Sequence, residues 1–141
     1  MINKLIYLPI EIKKREFDSR CYQALKLVKK GFKVAICTKT ALRNYMDVMP
    51  KGIVYFKSLG PGNTEMLKEF KQRGFLNILL DEEGLSLKNE ALYLNRMAII
   101  NFKYLKLIFT WGKADQTSIK KITNKVNIYP VGNPRVDLLL Q

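Results

Sequence analysis

Short apolar runs and helical patterns alternate along the chain from one end to the other. Leu5 to Leu8, Lys33 to Cys37, Ile53 to Phe56, Asn77 to Leu80, Lys106 to Thr110 and Val126 to Val131 read as strands. Several of these runs are continuously apolar, which is the pattern of strands covered on both faces. Between the first two, Phe17, Cys21, Ala24, Leu25 and Val28 fall at helical spacing, Lys29 and Lys30 fill the last turn, and Gly31 is the stop. A second helix opens at Asn63 or Thr64, buries Met66, Leu67 and Phe70, and stops at Gly74. Its exit, Arg73-Gly74-Phe75, echoes Lys30-Gly31-Phe32, so two junctions close a helix with glycine and feed a strand. A third helix falls between Asn89 and Ile100 and a short one between Asp115 and Ile122. This alternation predicts an α/β domain, Rossmann-like and three-layered, with a mainly parallel sheet of about six strands. No linker or low-complexity segment interrupts it, so one domain is expected over residues 1–141.

Composition supports that picture and removes some chemistry from it. A chain of 141 residues with 48% hydrophobic content can bury a real core. Its apolar runs fall far short of the roughly 20 residues that span a bilayer. Pro9 and the charged stretch Glu11 to Lys14 end the first run too early for a signal peptide, so a cytoplasmic protein is expected. Cys21 and Cys37 lack zinc-site spacing and read as buried, reduced thiols. The absence of histidine removes the commonest general base and metal ligand, leaving acid–base work to carboxylates, Lys or Tyr; neither metal nor cofactor is expected.

The net charge of +13 raises nucleic acid as a partner. Yet Lys13-Lys14-Arg15, Lys29-Lys30 and Lys120-Lys121 are separate clusters without interleaved aromatics. Such scatter favours an anionic membrane surface or phosphorylated substrates over specific nucleic acid, and a solvated Lys-rich surface is the plain alternative.

Candidate chemistry gathers at strand ends, where open α/β sheets bind ligands. Asp81, Glu82 and Glu83 follow the fourth strand; mutual repulsion would raise a carboxyl pKa and prepare a general base, while the plain alternative is an acidic helix cap. The stretch Pro9 to Arg20 reads as a long, charged loop in which Arg15 and Arg20 would grip a phosphate or carboxylate and Glu11 or Glu16 a sugar hydroxyl. Ordinary helix-surface pairing of Glu16 with Arg20 competes with that reading. Gly60-Pro61-Gly62-Asn63 is a tight turn and a weak anion-nest signal, with no Walker or dinucleotide fingerprint beside it. Trp111-Gly112 follows the fifth strand, where the indole would stack on a sugar or base or serve as packing. After the sixth strand, Gly132, Asn133 and Pro134 form a sharp turn that presents Arg135 and Asp137.

Taken in order, Arg15-Glu16-Phe17-Asp18-Ser19-Arg20, Lys57, Asp81-Glu82-Glu83-Gly84, Trp111-Gly112 and Gly132 to Leu139 resemble the bacterial surface carbohydrate biosynthesis proteins, glycosyltransferase-like proteins of the GT-B type. The last motif is also similar to one in teichoic-acid glycerophosphotransferases, so it marks a broad group. The resemblance implies the acceptor-side, N-terminal half of a two-domain sugar transferase. Its partners would be a glycan acceptor, a nucleotide-sugar donor and a donor-binding C-terminal domain or subunit, with peripheral association at the inner face of the cell membrane. Glu82 or Glu83, with Asp81 beside them, would supply the base. Glu11, Arg15, Glu16, Arg20, Trp111, Asn133, Arg135 and Asp137 would bind substrate. Leu138, Leu139 and Leu140 would be apolar surface facing the missing half. A nucleotide-sugar epimerase of similar fold and a non-catalytic glycan- or membrane-binding subunit are the rival expectations.

Overall fold

A computed structural model of the chain describes residues 4–58, 61–82, 89–98 and 101–140. Six strands form one sheet: β1 (Leu5–Ile10), β2 (Lys33–Thr38), β3 (Ile53–Phe56), β4 (Leu76–Leu80), β5 (Leu107–Thr110) and β6 (Asn127–Pro130). All neighbours pair in parallel, in the order β2-β1-β3-β4-β5-β6. The helices are α1 (Lys13–Lys29), α2 (Lys39–Asn44), α3 (Pro61–Gln72), α4 (Glu90–Ala98), α5 (Lys113–Lys120) and α6 (Pro134–Leu139), with a 3-10 turn at Phe102–Tyr104. The Rossmann-like α/β architecture expected from the alternating pattern is the one observed.

Period-two alternation along the strands divides the core between the two faces of the sheet. Tyr7, Val54, Phe56, Leu79, Ile108 and Ile128 meet Leu42 of α2, Met66, Leu67 and Phe70 of α3, Tyr93 and Met97 of α4, and Ile119 of α5. Ile6, Leu8, Tyr55 and Leu80 point the other way, toward Ala24 and Leu27 of α1. One face thus carries four helices, and the other carries α1 with α6 packed against it. Right-handed crossovers produce this division: the chain leaves β1 toward β2 on one side, then returns to β3 and continues in the opposite direction. Between β1 and β3 the winding reverses, which opens a crevice beyond their carboxyl ends.

Asn77 ties layers together from the middle of β4. Fully buried, it donates to the backbone carbonyls of Leu67 in α3 (2.7 Å) and Tyr104 (3.0 Å). Gly31 and Gly74 both adopt positive φ, +82° and +85°, where the repeated Gly-Phe junctions placed the helix stops.

Several local expectations need correction. The stretch after β1 is no long loop, because α1 starts at Lys13. The apolar stripe of α1 is not its buried face: Phe17 is 38% exposed, Leu25 63% and Val28 56%, while Glu16, Ser19 and Arg20 are buried. Cys21 and Cys37 are half-buried thiols rather than fully buried ones. Two helices were not foreseen. Thr38 caps α2 by accepting a hydrogen bond from the Ala41 amide at 3.1 Å, and the turn after β6 is the start of α6. Among the described residues no helix is long and apolar enough to cross a membrane.

Candidate functional site

The crevice between β1 and β3 is filled by charge. The N-cap of α1 is Ile12, whose side chain makes no capping hydrogen bond. Glu16, one turn in, reaches back instead: its Oε2 accepts from the Glu11 amide at 2.8 Å and its Oε1 from the Ile12 amide at 3.4 Å. This satisfies amide donors that a helix start leaves unpaired and places a carboxylate at the positive end of the helix. Lys57, the residue after β3, inserts its ammonium 2.7 Å from Glu16 Oε1 and 2.9 Å from Glu11 Oε2. Arg15 adds a 3.0 Å contact to Glu16, and Lys39 a 3.1 Å contact to Glu11. Burial alone would raise the Glu16 pKa, but the Lys57 hydrogen bond, the Glu11 amide and Arg15 overcome it and hold the carboxyl down to about 2. Glu11 is likewise lowered, with Lys57 and Lys39 outweighing the effect of burial. Glu16 and Lys57 form the buried floor, while Glu11, Lys39 and Arg15 reach solvent.

A second ion pair lies on the α1 face of the sheet. Arg20, 0% exposed, places Nη1 2.8 Å from Glu82 Oε1 and 2.5 Å from Gln23 Oε1, and its guanidinium stacks 4.7 Å from the Tyr55 ring centroid. Tyr55 donates to Glu82 Oε1 at 3.4 Å; burial, then the Glu82 charge, raises its pKa and keeps it a donor. The Glu82 amide donates to the Lys57 carbonyl at 2.8 Å, which fixes the end of β4 beside that of β3. Asp81 pairs with Arg96 of α4 at 3.0 Å, and the Asp81 carbonyl accepts from the Trp111 indole at 2.8 Å.

These pairings change the meaning of the acidic run. The Asp81 and Glu82 carboxylates lie against different arginines, Arg96 and Arg20. Glu82 is thus the counter-charge of the buried Arg20 guanidinium, which orients its carboxylate. Glu83 and Gly84 lie outside the described residues, as does Gly60. The expected Glu16–Arg20 surface pair is not formed: each residue is buried and turns to a different strand end.

At the far end, Gly132 takes φ +87°, Asn133 is extended and Pro134 occupies the first helical position of α6. Asn133 Oδ1 caps the helix by accepting from the Arg135 amide at 2.9 Å. Arg135 and Asp137 therefore stand on a helix packed against α1. Trp111 is half-buried and packs with Phe109 on the α1 face, its indole N–H fixed by Asp81. Besides Lys57, which the strand end already marked, the structure adds Lys39, Tyr55, Gln23 and Arg96 to the site, and none of these four had a local signal. Among the described residues no cluster of three His, Cys, Asp or Glu side chains is placed to hold a metal ion. No family model matches the chain, and neither does any curated protein or solved structure.

Proposed function

We propose that this domain is the acceptor side of a glycosyltransferase of surface-polysaccharide assembly, of the GT-B kind, and that it meets a hydroxyl-rich glycan at the carboxyl ends of β1 and β3. The observation that carries this reading is the Glu11–Lys39–Lys57–Glu16–Arg15 network, seated where the winding of the sheet reverses. Its exposed members offer both charge-assisted donors and carboxylate acceptors, as a sugar's hydroxyl groups require, on a floor that Glu16 and Lys57 hold rigid.

Asp81 and Glu82 favour a division of labour. With both carboxylates paired to arginines, the described residues position and bind. Glu83, outside the described residues, keeps its place as a candidate for proton removal, and the nucleotide-sugar donor falls to a donor-binding domain or subunit. The same observation favours a second reading, a non-catalytic glycan-binding subunit.

Calorimetric titration of the chain with polysaccharide-derived oligosaccharides and with a panel of nucleotide sugars tests the proposal. Oligosaccharides should bind in the micromolar-to-millimolar range, with nucleotide sugars weaker and no turnover. Tight nucleotide-sugar binding with turnover by this chain alone would instead mark a compact single-domain enzyme. Absence of any oligosaccharide binding would reject the acceptor-side reading.

A further inference from the structure

Strand β2 is an edge of the sheet among the described residues, pairing with β1 alone. The Lys33 amide donates inward to the Lys4 carbonyl at 2.7 Å, so by alternation along the strand the N–H and C=O groups of Val34 and Ile36 point outward. Native proteins blunt such an edge with proline, with charge or by shortness. The other edge strand, β6, has four residues and ends at Pro130. Strand β2 has six, and Val34, Ala35, Ile36 and Cys37 are half-buried with neither charge nor proline among them.

Helix α1 packs on both β1 and β2 and leaves an apolar stripe beside this edge. One flank of the helix, Tyr22, Gln23 and Lys26, lines an apolar cleft of about 430 Å³ with Ile78, Leu80 and Phe109 of β4 and β5. Phe17, Cys21, Leu25 and Val28 lie about half a helical turn round from that flank, on the side of β2. This is the stripe that the periodicity marks for burial, yet Phe17, Leu25 and Val28 are exposed.

We propose that a second copy of this chain covers both features, its β2 adding antiparallel to β2 about a two-fold axis perpendicular to the sheet. Val34 then lies opposite the partner's Ile36, exchanging both backbone hydrogen bonds, and Ala35 meets the partner's Ala35 at the axis. Val34 and Ile36 both project to the α1 face, so the pairing joins like faces. With strands about 4.8 Å apart, the two α1 helices come to about 10 Å, the ordinary spacing of packed helices. They run antiparallel, which sets Phe17 against the partner's Leu25 with Cys21 near the axis. The joined face is about 25 Å long and about 20 Å tall, on the order of 500 Å² per copy and about 1,000 Å² in all, where specific interfaces begin. A lipid surface would cover the stripe but offers no ladder to the outward backbone groups of β2. The pairing is independent of the sugar-transfer reading.

Sedimentation equilibrium of the chain, with amide hydrogen exchange followed by NMR, tests it. The parent should be a dimer at NMR concentrations and dissociate on dilution. Because each copy carries a net charge of +13, rising salt should tighten the association; loosening with salt would mark a charge-driven contact elsewhere and overturn the proposal. The Val34 and Ile36 amides should exchange about tenfold or more slower in the dimer than after dilution, while that of Ala35, which points to β1, keeps its protection. Leu25→Lys, at an exposed position, should weaken dimerisation about tenfold or more, and Val28→Lys serves the same test should the first variant fail to fold. A parent that stays monomeric at millimolar concentration, whether or not vesicles bind the stripe, overturns the proposal. So does a dimer whose Val34 and Ile36 amides exchange as freely as in the monomer, or one that Leu25→Lys and Val28→Lys leave equally tight.

Discussion

Glu16 accepts from Lys57, Arg15 and two backbone amides, so a proton on its carboxylate removes the charge around which the β1–β3 crevice is built. Its folded pKa of about 2 lies below the ordinary 4.5, so the stabilisation is complete above pH 4.5 and is lost as pH falls toward 2. The full shift corresponds to at most about 3 kcal/mol, reduced by the solvent that reaches Glu11 and Lys39. Urea unfolding should therefore show stability falling through that acid window, with a shallower fall in Glu16→Gln, which is also less stable at pH 7. Identical acid slopes in the two proteins would show that Glu16 is not the group being titrated. Glu82 offers a second test at this scale. If it chiefly neutralises Arg20, Glu82→Gln leaves a buried guanidinium without its counter-charge and destabilises the chain by about 3–5 kcal/mol. A variant that melts like the parent would return Glu82 to the role of a free base. Neither pairing was readable in advance, because the partner of Glu16 is 41 residues away on another strand end and Arg20 looks like any surface arginine on a Lys-rich helix. What the sequence does carry is position: Lys57, Asp81 and Glu82 directly follow apolar strand runs, and those ends converge.

At the level of elements, the long periodic signals were legible and the short ones were not. Helices α1 and α3 announced themselves through spacing and a glycine stop, and all six strands through apolar runs. The facing of α1 was not legible, since ion pairing at the sheet edge overrides the rule that places charge in solvent. Helix α2 has six residues and one buried side chain, Leu42, too few for periodicity, although Thr38 is a capping residue. Helix α6 carries a stronger mark: Asn133 followed by Pro134 is a helix start as readily as a turn. Removing that cap should loosen the helix locally. Asn133→Ala is expected to cost about 0.5–2 kcal/mol and to speed amide exchange across residues 134–139 while the strands keep their protection. Unchanged exchange there would mean that packing on α1, not the cap, holds the helix.

Across the whole molecule, the sheet separates two environments. Its carboxyl edge carries paired charges, its α1 face carries an apolar cleft, and Val136, Leu139 and Leu140 are exposed. The net charge of +13 surrounds both, spread over α1, α5 and the turns between them. Scattered lysines attract an anionic surface without presenting a groove-shaped reader, so the chain should bind phosphatidylserine-containing vesicles in low salt and lose them as salt rises. Sequence-selective duplex DNA binding at physiological salt, with no vesicle binding, would contradict this. The α/β architecture was legible at this scale because alternation of runs and helices leaves few topologies open. The substrate was not, because a fold positions a site without choosing its ligand.

Whether the β1–β3 crevice is where a glycan is met can be read by NMR titration of the chain with an oligosaccharide, comparing the parent with Lys57→Met. Amide shifts should concentrate on Glu11, Lys39 and Lys57, and the variant should lose most of the affinity while its β4 and β5 signals stay in place. Shifts confined to α6 and the apolar cleft, or full affinity in Lys57→Met, would contradict the assignment of the crevice as the binding site.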